Sequence, residues 1–404
     1  MSNDQTRWPQ VRFGDVITHS AFGPRFSSND YADDGNVATL RTTDLDNHGR
    51  ISYDTMPLAR LNEDRFESHI LCPGDLLITR SGTCGIAAVF EGFELPVLAG
   101  AFLIRFRLSD HADSRFFRYY FNSPFGRQHI LSVARGAVQQ NLNITNIEAL
   151  IVPLPTRDEQ ERIVATVSSY DDLIENNRRR MALLEESARL LYQEWFVRLR
   201  FPGHEHVRVI DGVPEGWEKR NLGDVADVNR LNLSNSFNGE IDYIDISSVT
   251  PGQINETTLY LFKDAPSRAR RIVQHGDIIW SCVRPNRKSH ALIWRPQPNL
   301  IASTGFVVLT PKLVPPAFLL FSTTTPDFVG YLENHAKGAA YPAVVAGDFE
   351  RASVCVPNAS ILHAFSEFVE PLFDQMYNLK QQNQKLRAAR DLLLPRLMNG
   401  EVVV

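Results

Sequence analysis

The first 155 residues contain no lysine. Fourteen arginines supply the cationic side chains there, against 17 Asp plus Glu. Arginine offers a planar fork of five donors where lysine offers a point charge, so the bias points to specific recognition rather than to a diffuse cationic surface. Other absences are equally informative. There is no G-x-x-x-x-G-K-[ST] and no G-x-G-x-x-G after a strand, which excludes a P-loop and a dinucleotide fingerprint. The four cysteines, Cys72, Cys84, Cys282 and Cys355, form no C-x-x-C pair. That excludes a zinc ribbon and a disulfide framework and predicts reduced, buried thiols. The N-terminal MSNDQTRWPQ lacks the apolar core of a signal peptide, and no apolar run approaches the ~20 residues of a membrane span, so the expectation is a cytoplasmic protein. A net charge of −5 argues against a protein that coats nucleic acid nonspecifically, while leaving room for a local basic groove.

Catalytic constellations are missing as well. Nothing resembles a nucleophile with its base. The tetrapeptide NSPF at Asn122 resembles the N-P-P-[FY] loop of adenine methyltransferases, but the first proline is missing and no cofactor glycine motif precedes it. HEH at His204 follows a Phe-Pro-Gly turn without a third ligand and reads as a solvated linker. PDFVGYLENHAK has scattered acids without a nuclease spacing. The expectation is a chain with no catalytic residues, no metal and no cofactor of its own.

What the chain does contain is one long helical segment used twice. After Pro155, Thr156 and Glu159 have the spacing of a capping box. A stripe, apolar or aromatic at nine of ten positions, then recurs at alternating steps of four and three: Ile163, Val167, Tyr170, Ile174, Asn177, Met181, Leu184, Ala188, Leu191, Trp195. Such a stripe, with a period of 3.5, is a coiled-coil seam. A displacement of 202 residues lands on Phe365, Val369, Leu372, Met376, Leu379, Asn383, Leu386, Arg390, Leu393 and Leu397, with Asn358 at the cap position. Two departures stand out: Pro371 is expected to kink or break the second helix, and Arg390 replaces the small Ala188. If the two helices lie antiparallel, Asn177 meets Asn383 and the pair fixes the register.

The repeat reaches upstream. RGAVQQN at Arg135 matches KGAAYPA at Lys337, and PGDLLITRSGTCG at Pro73 matches HGDIIWSCVRPNR at His275. WPQVRFGDV at Trp8 matches GWEKRNLGDV, with Asp15 on Asp224. A whole-chain period of this kind dictates the architecture. The chain reads as a mixed α/β (α+β) tandem repeat: a domain over 1–155, a long helix over 156–203, a second domain over 204–357 and a second long helix over 358–404. The helices are expected to form an antiparallel coiled coil, with the domains at its opposite ends. NVATLRTTDL, GDLLITRSG and LAGAFLIRFRL read as strands, as do IDYIDISSV, GDIIWSCV and STGFVVLTP, with helices near 114–125 and 315–321.

Within this repeated scaffold the polar loops diverge. TRSGTCG stands opposite SCVRPNRKSH, and RGAVQQN opposite KGAAYPA. One framework with two different sets of donors suits two different targets, and Arg to guanine and Gln or Asn to adenine are the bidentate pairs that major-groove geometry favours. The candidate contacts are Arg80, Ser81, Thr83, Arg135, Gln139, Gln140 and Asn141 in the first domain, and Arg284, Asn286, Arg287, Lys288, Lys337 and Tyr341 in the second.

With these residues in view, the chain resembles the specificity subunit of type I restriction–modification systems over essentially its whole length. VPLPTRDEQERIVATVSSYDDLIENN with the helix after it, ITRSGTCG, RGAVQQNLN and the terminal LLLPRLMNGEV carry the likeness. The resemblance implies two target-recognition domains, each reading one half of a bipartite, asymmetric double-stranded DNA site. It implies helices that set the unspecific spacer and dock methyltransferase subunits, two of them, with two restriction/translocase subunits in systems that cleave. S-adenosylmethionine and ATP are then expected on those partners. VPNASILHAF departs from the pattern, lacking the pair seen at Glu159 and Gln160. A reading of a different class is a coiled-coil scaffold with two protein- or glycan-binding domains, which predicts neither a methyltransferase companion nor DNA retention.

Overall fold

A computed structural model of the chain describes residues 8–134, 141–338 and 341–402. They divide into two compact units, Met1–Glu175 with Asn383–Val404, and Asn176–Gln382.

In the first unit, strands Ile17–Phe22, Leu103–Leu108, Leu76–Thr79 and Ala87–Val89 form an antiparallel sheet in that order. A smaller sheet places Val37–Leu40 between an antiparallel Leu58–Ala59 and a parallel Val97–Ala99. Strand Leu76–Thr79 is buried on both faces. Leu76 and Ile78 pack into a core with Phe13, Phe106, Phe116, Phe117 and Phe121, while Leu77 points the other way, toward Ala38, Leu40 and Phe90. That is the two-residue period of a strand expressed as two separate cores.

The second unit repeats the plan. Ala226–Val228, Phe306–Pro311, Ile278–Ser281 and His290–Leu292 form its four-stranded antiparallel sheet. Its second sheet contains a parallel pair, Glu240–Ile244 with Leu300–Ser303. Ile278 and Trp280 join one core and Ile279 the other. The GD motif has the same work in both units. Gly74 and Gly276 turn with φ of +93° and +87°. Asp75 then accepts the amide of Cys72 at 2.8 Å, and Asp277 that of Gln274 at 2.7 Å, pinning the start of each central strand.

The long helices are Arg157–Tyr192, extended by a π turn over Gln193–Val197, and Ala359–Met398. The first opens on the expected capping box: the Glu159 amide donates to Thr156 Oγ1 and the Thr156 amide to Glu159 Oε2. The second opens on Asn358, whose Oδ1 accepts the Ile361 amide at 3.1 Å. Every seam position named above is buried or half-buried. In the first unit Ile163, Val164 and Val167 share a core with Leu394, Leu397 and Met398, and Asp171 pairs with Arg390, so the chains run antiparallel there. In the second unit the pairs are Asn177 with Gln382 and Trp195 with Phe365, again antiparallel.

Three details bear on the expectations above. Pro371 does not break its helix. It lies on the exposed face, where water can satisfy the carbonyl that loses its amide partner. The four thiols are free, but only Cys84 is buried; Cys72 is exposed at the turn before the GD motif. Arg390 is no mere intrusion into the seam. It donates to Asp171 at 2.7 Å, and Asp171 also accepts the Tyr119 hydroxyl at 2.8 Å and lies 3.6 Å from Arg118 and 3.9 Å from Arg50.

Candidate nucleic-acid interface

The two loops singled out in each domain meet in space. In the first unit the strand Leu76–Thr79 delivers Arg80 to the end of the sheet, where its carbonyl accepts the Leu142 amide at 3.0 Å. In the second unit the repeat-equivalent bond is Val344 amide to Cys282 carbonyl, at 2.9 Å. Each unit thus staples the loop after its central strand to the segment before its next short helix. Asn141 is exposed beside the first staple, and Lys337 and Tyr341 beside the second. Arg135, Gln139 and Gln140 lie outside the described residues.

In the first loop Gly85 turns with φ +79°, and a Cβ there would sit 2.9 Å from Ile130, so the loop is pressed against helix Pro124–Ser132. Ser81 is buried, whereas Thr83 is exposed. Burial raises the Cys84 thiol pKa, opposed by the charges of Arg127 and Arg80, and burial lowers that of Arg127. The second loop is built differently. Arg284 and Lys288 both adopt left-handed backbone, φ +51° and +54°, which costs a residue with a Cβ about 1–2 kcal/mol. The Arg284 amide answers with a 2.7 Å bond to the Pro342 carbonyl and the Lys288 amide with a 2.9 Å bond to Pro285. Asn286, Arg287 and Lys288 are left exposed between them. His290 stacks on Trp280 with its Nδ1 2.7 Å from the Lys288 carbonyl, and burial lowers its pKa, which favours the neutral ring.

The electrostatics of these regions differ from those of the chain as a whole. Although it holds 47 Asp and Glu, none falls within 76–90, 118–147, 278–311 or 334–347, the stretches that build the two loop pairs and their supports. In a chain of net negative charge, carboxylates have been kept out of the loops that carry the arginines, which makes the loop regions suited to an anionic ligand.

Of the aromatic residues at these sites, Phe22 and Phe102 were not legible as site residues in the sequence, whereas Tyr341 was among the candidate contacts. Arg80 lies 4.4 Å over the ring of Phe22, which ends strand Ile17–Phe22, and Arg284 lies 4.6 Å over Tyr341. Phe22 is 37% exposed and Tyr341 68%. Phe102, 60% exposed, lends its carbonyl to the Arg80 amide. An exposed aromatic leaves no periodic signal, so only the pairing of strands could reveal Phe22. The NSPF motif is structural: Asn122 accepts the Ala87 amide at 3.0 Å and donates to the Ala87 carbonyl at 2.7 Å. Among the described residues no cluster of His, Cys, Asp or Glu could hold a metal ion. No described helix is long and apolar enough to cross a membrane.

Each buried seam asparagine reaches the opposite helix. In the second unit Asn177 lies 3.5 Å from Gln382 Oε1, and in the first Asn383 donates to the Ile174 carbonyl at 3.2 Å.

A duplicated mixed domain, a stapled loop pair on each copy and two long helices define a tandem recognition protein. A family model, the type I restriction modification DNA specificity domain, matches residues 6–186 and again 214–388, and the chain belongs to that family. The MjaIX type I restriction enzyme specificity subunit of Methanocaldococcus jannaschii is 23% identical over 346 residues, 82% of this chain and 78% of that one. The HindI specificity subunit of Haemophilus influenzae is 24% identical over 179 residues, 42% of this chain and 38% of that one. The crystal structure of a type I restriction-modification S subunit from M. genitalium shares the fold, with a TM-score of 0.60 at 16% identity over 98% of both chains.

Proposed function

We propose that the chain is the DNA sequence-specificity subunit of a type I restriction–modification complex, and that each domain reads one half of a bipartite, asymmetric site. The observation that carries this reading is the repeated staple: equivalent hydrogen bonds join equivalent loops, free of carboxylates, whose donor side chains differ between copies. Arg80 serves the first half-site, and Arg284, Asn286 and Arg287 the second, through base edges in the major groove. Phosphate contacts, shared with partner subunits, supply the salt-dependent affinity. The chain is non-catalytic. The long helices set the spacer and dock two methyltransferase subunits, with restriction/translocase subunits joining where the system cleaves. S-adenosylmethionine and ATP are carried by those partners, and the complex works in the cytoplasm, where its DNA is.

Selection from a randomised duplex library, with the assembled complex, tests this. Arg80→Ala should relax one half-site and leave the other as it was. Each good bidentate contact is worth about 1–3 kcal/mol of discrimination, or roughly fivefold to 150-fold. Equal loss across both halves, or retention of no specific duplex by the wild type, contradicts the reading.

A further inference from the structure

The two units resemble each other in one respect that their loop sequences hide. Arg80 and Arg284 lie two residues out of repeat register, on loops of different length and backbone. Yet each guanidinium lies over an aromatic ring at almost the same distance, 4.4 Å and 4.6 Å. The rings come from unrelated places. Phe22 is the last residue of an outer strand, and two pairings bring it beside Arg80: Phe22 with Ile104, and Thr79 with Leu103, so both residues leave the sheet at the same end. Tyr341 belongs to the stapled segment itself, held by the Arg284 amide bond to the adjacent Pro342 carbonyl. Different residues, from different elements, arrive at one arrangement.

We infer that each recognition site contains a positioning pair, with Phe22 in the first unit and Tyr341 in the second acting as the platform that fixes its arginine for base readout. This deepens the proposed function and rests on it. The physical argument is one of preorganisation. A free arginine loses rotamer entropy whenever it binds, whereas a guanidinium held over a ring is already restrained. The ring's quadrupole supplies the attraction, stronger where the pair is desolvated. Both rings are themselves partly open, Phe22 at 37% and Tyr341 at 68%, so they do not act merely as core. Arg80 Nε is buried and has no hydrogen-bond partner among the described residues, while the guanidinium lies over the Phe22 ring.

A platform that reads no base has a distinctive signature. It should affect discrimination at the base its arginine contacts, and a different aromatic ring should rescue it. The experiment compares Phe22→Leu, Phe22→Tyr, Tyr341→Leu and Tyr341→Phe with Arg80→Ala and wild type, as the assembled complex, by selection from the same randomised duplex library. Thermal melting confirms that each variant folds. Phe22→Leu should reduce discrimination roughly fivefold to tenfold at the one position that Arg80→Ala also relaxes, and leave the other half-site unchanged; Phe22→Tyr should restore it. Tyr341→Leu should act likewise on the opposite half-site, with Tyr341→Phe close to wild type because the ring and not the hydroxyl is needed. Unchanged discrimination in both leucine variants, while Arg80→Ala still relaxes a half-site, overturns the platform but spares the reading of bases by Arg80. If Arg80→Ala is also silent on a complex that binds specific DNA, base reading lies elsewhere, and both claims fall.

Discussion

Asp171 shows how a single side chain can tie a recognition domain to its helices. Its carboxylate is largely buried and gathers the Tyr119 hydroxyl, the Arg390 guanidinium and, more distantly, Arg118 and Arg50. Removing the carboxylate leaves buried donors without their acceptor, which is costlier than never having had the pair. Asp171→Ala should therefore destabilise the first unit by about 2–4 kcal/mol, read as a lower Tm, and double substitution with Arg390→Ala should recover part of the loss. The repeat-equivalent residues are Phe373 and Ala188, apolar in the second unit, where Phe373 instead packs on Trp294 and Phe321. Arg390 was visible in the sequence as an oddity of the seam; its partner was not, because Asp171 is not a seam position and pairing depends on which helix faces which. Asp113 adds a pH term. Burial works to raise its carboxyl pKa, but hydrogen bonds from Arg115 and the charges of Arg115 and Arg157 outweigh it, so the folded value lies below the usual one. A depressed carboxyl contributes stability above the ordinary carboxylate pKa of about 3.9 and loses it as pH falls through the folded value. Asp113→Asn should flatten the acid limb of a stability profile below about pH 4, with little change in that slope at neutral pH.

At the scale of elements, the long helices were the most legible part of the sequence. Caps at Thr156 and Asn358 and a seam of period 3.5 are local signals, and no tertiary partner is needed to read them. Strands with the GD turn were nearly as clear, since Gly and Asp have fixed work there. Pro371 does not end its helix, and the effect of a proline depends on which face it occupies: on the exposed side a helix tolerates the lost bond. The helices also carry an apolar stripe that the seam does not explain. Leu183, Leu190 and Val197, seven residues apart, are 67%, 46% and 59% exposed, on a face where water is an unfavourable neighbour. On the proposed function, a docked methyltransferase subunit covers them. Leu183→Glu with Leu190→Glu should abolish co-purification of that subunit while shifting the chain's own Tm by only a degree or two. An unchanged yield of complex would place the dock elsewhere.

Across the whole molecule, duplication explains both the likeness and the difference. Cores, sheets, staples and caps recur, while the loops that face outward have lost their resemblance. Those loops were legible only as polar and divergent. Where they meet, and which rings lie under their arginines, depends on strand pairing that no single loop records. On the proposed function, two independent readers are held at a separation set by the helices. The most direct test inserts one heptad into each long helix at matching levels of the seam and maps the methylated sites of the assembled complex. Seven residues add about 10 Å of helix, or about 3 base pairs of duplex at ~3.4 Å each. The expected result is the same two half-sites with a spacer longer by about 3 base pairs. Altered half-sites, or an unchanged spacer in a complex that still methylates, would contradict it.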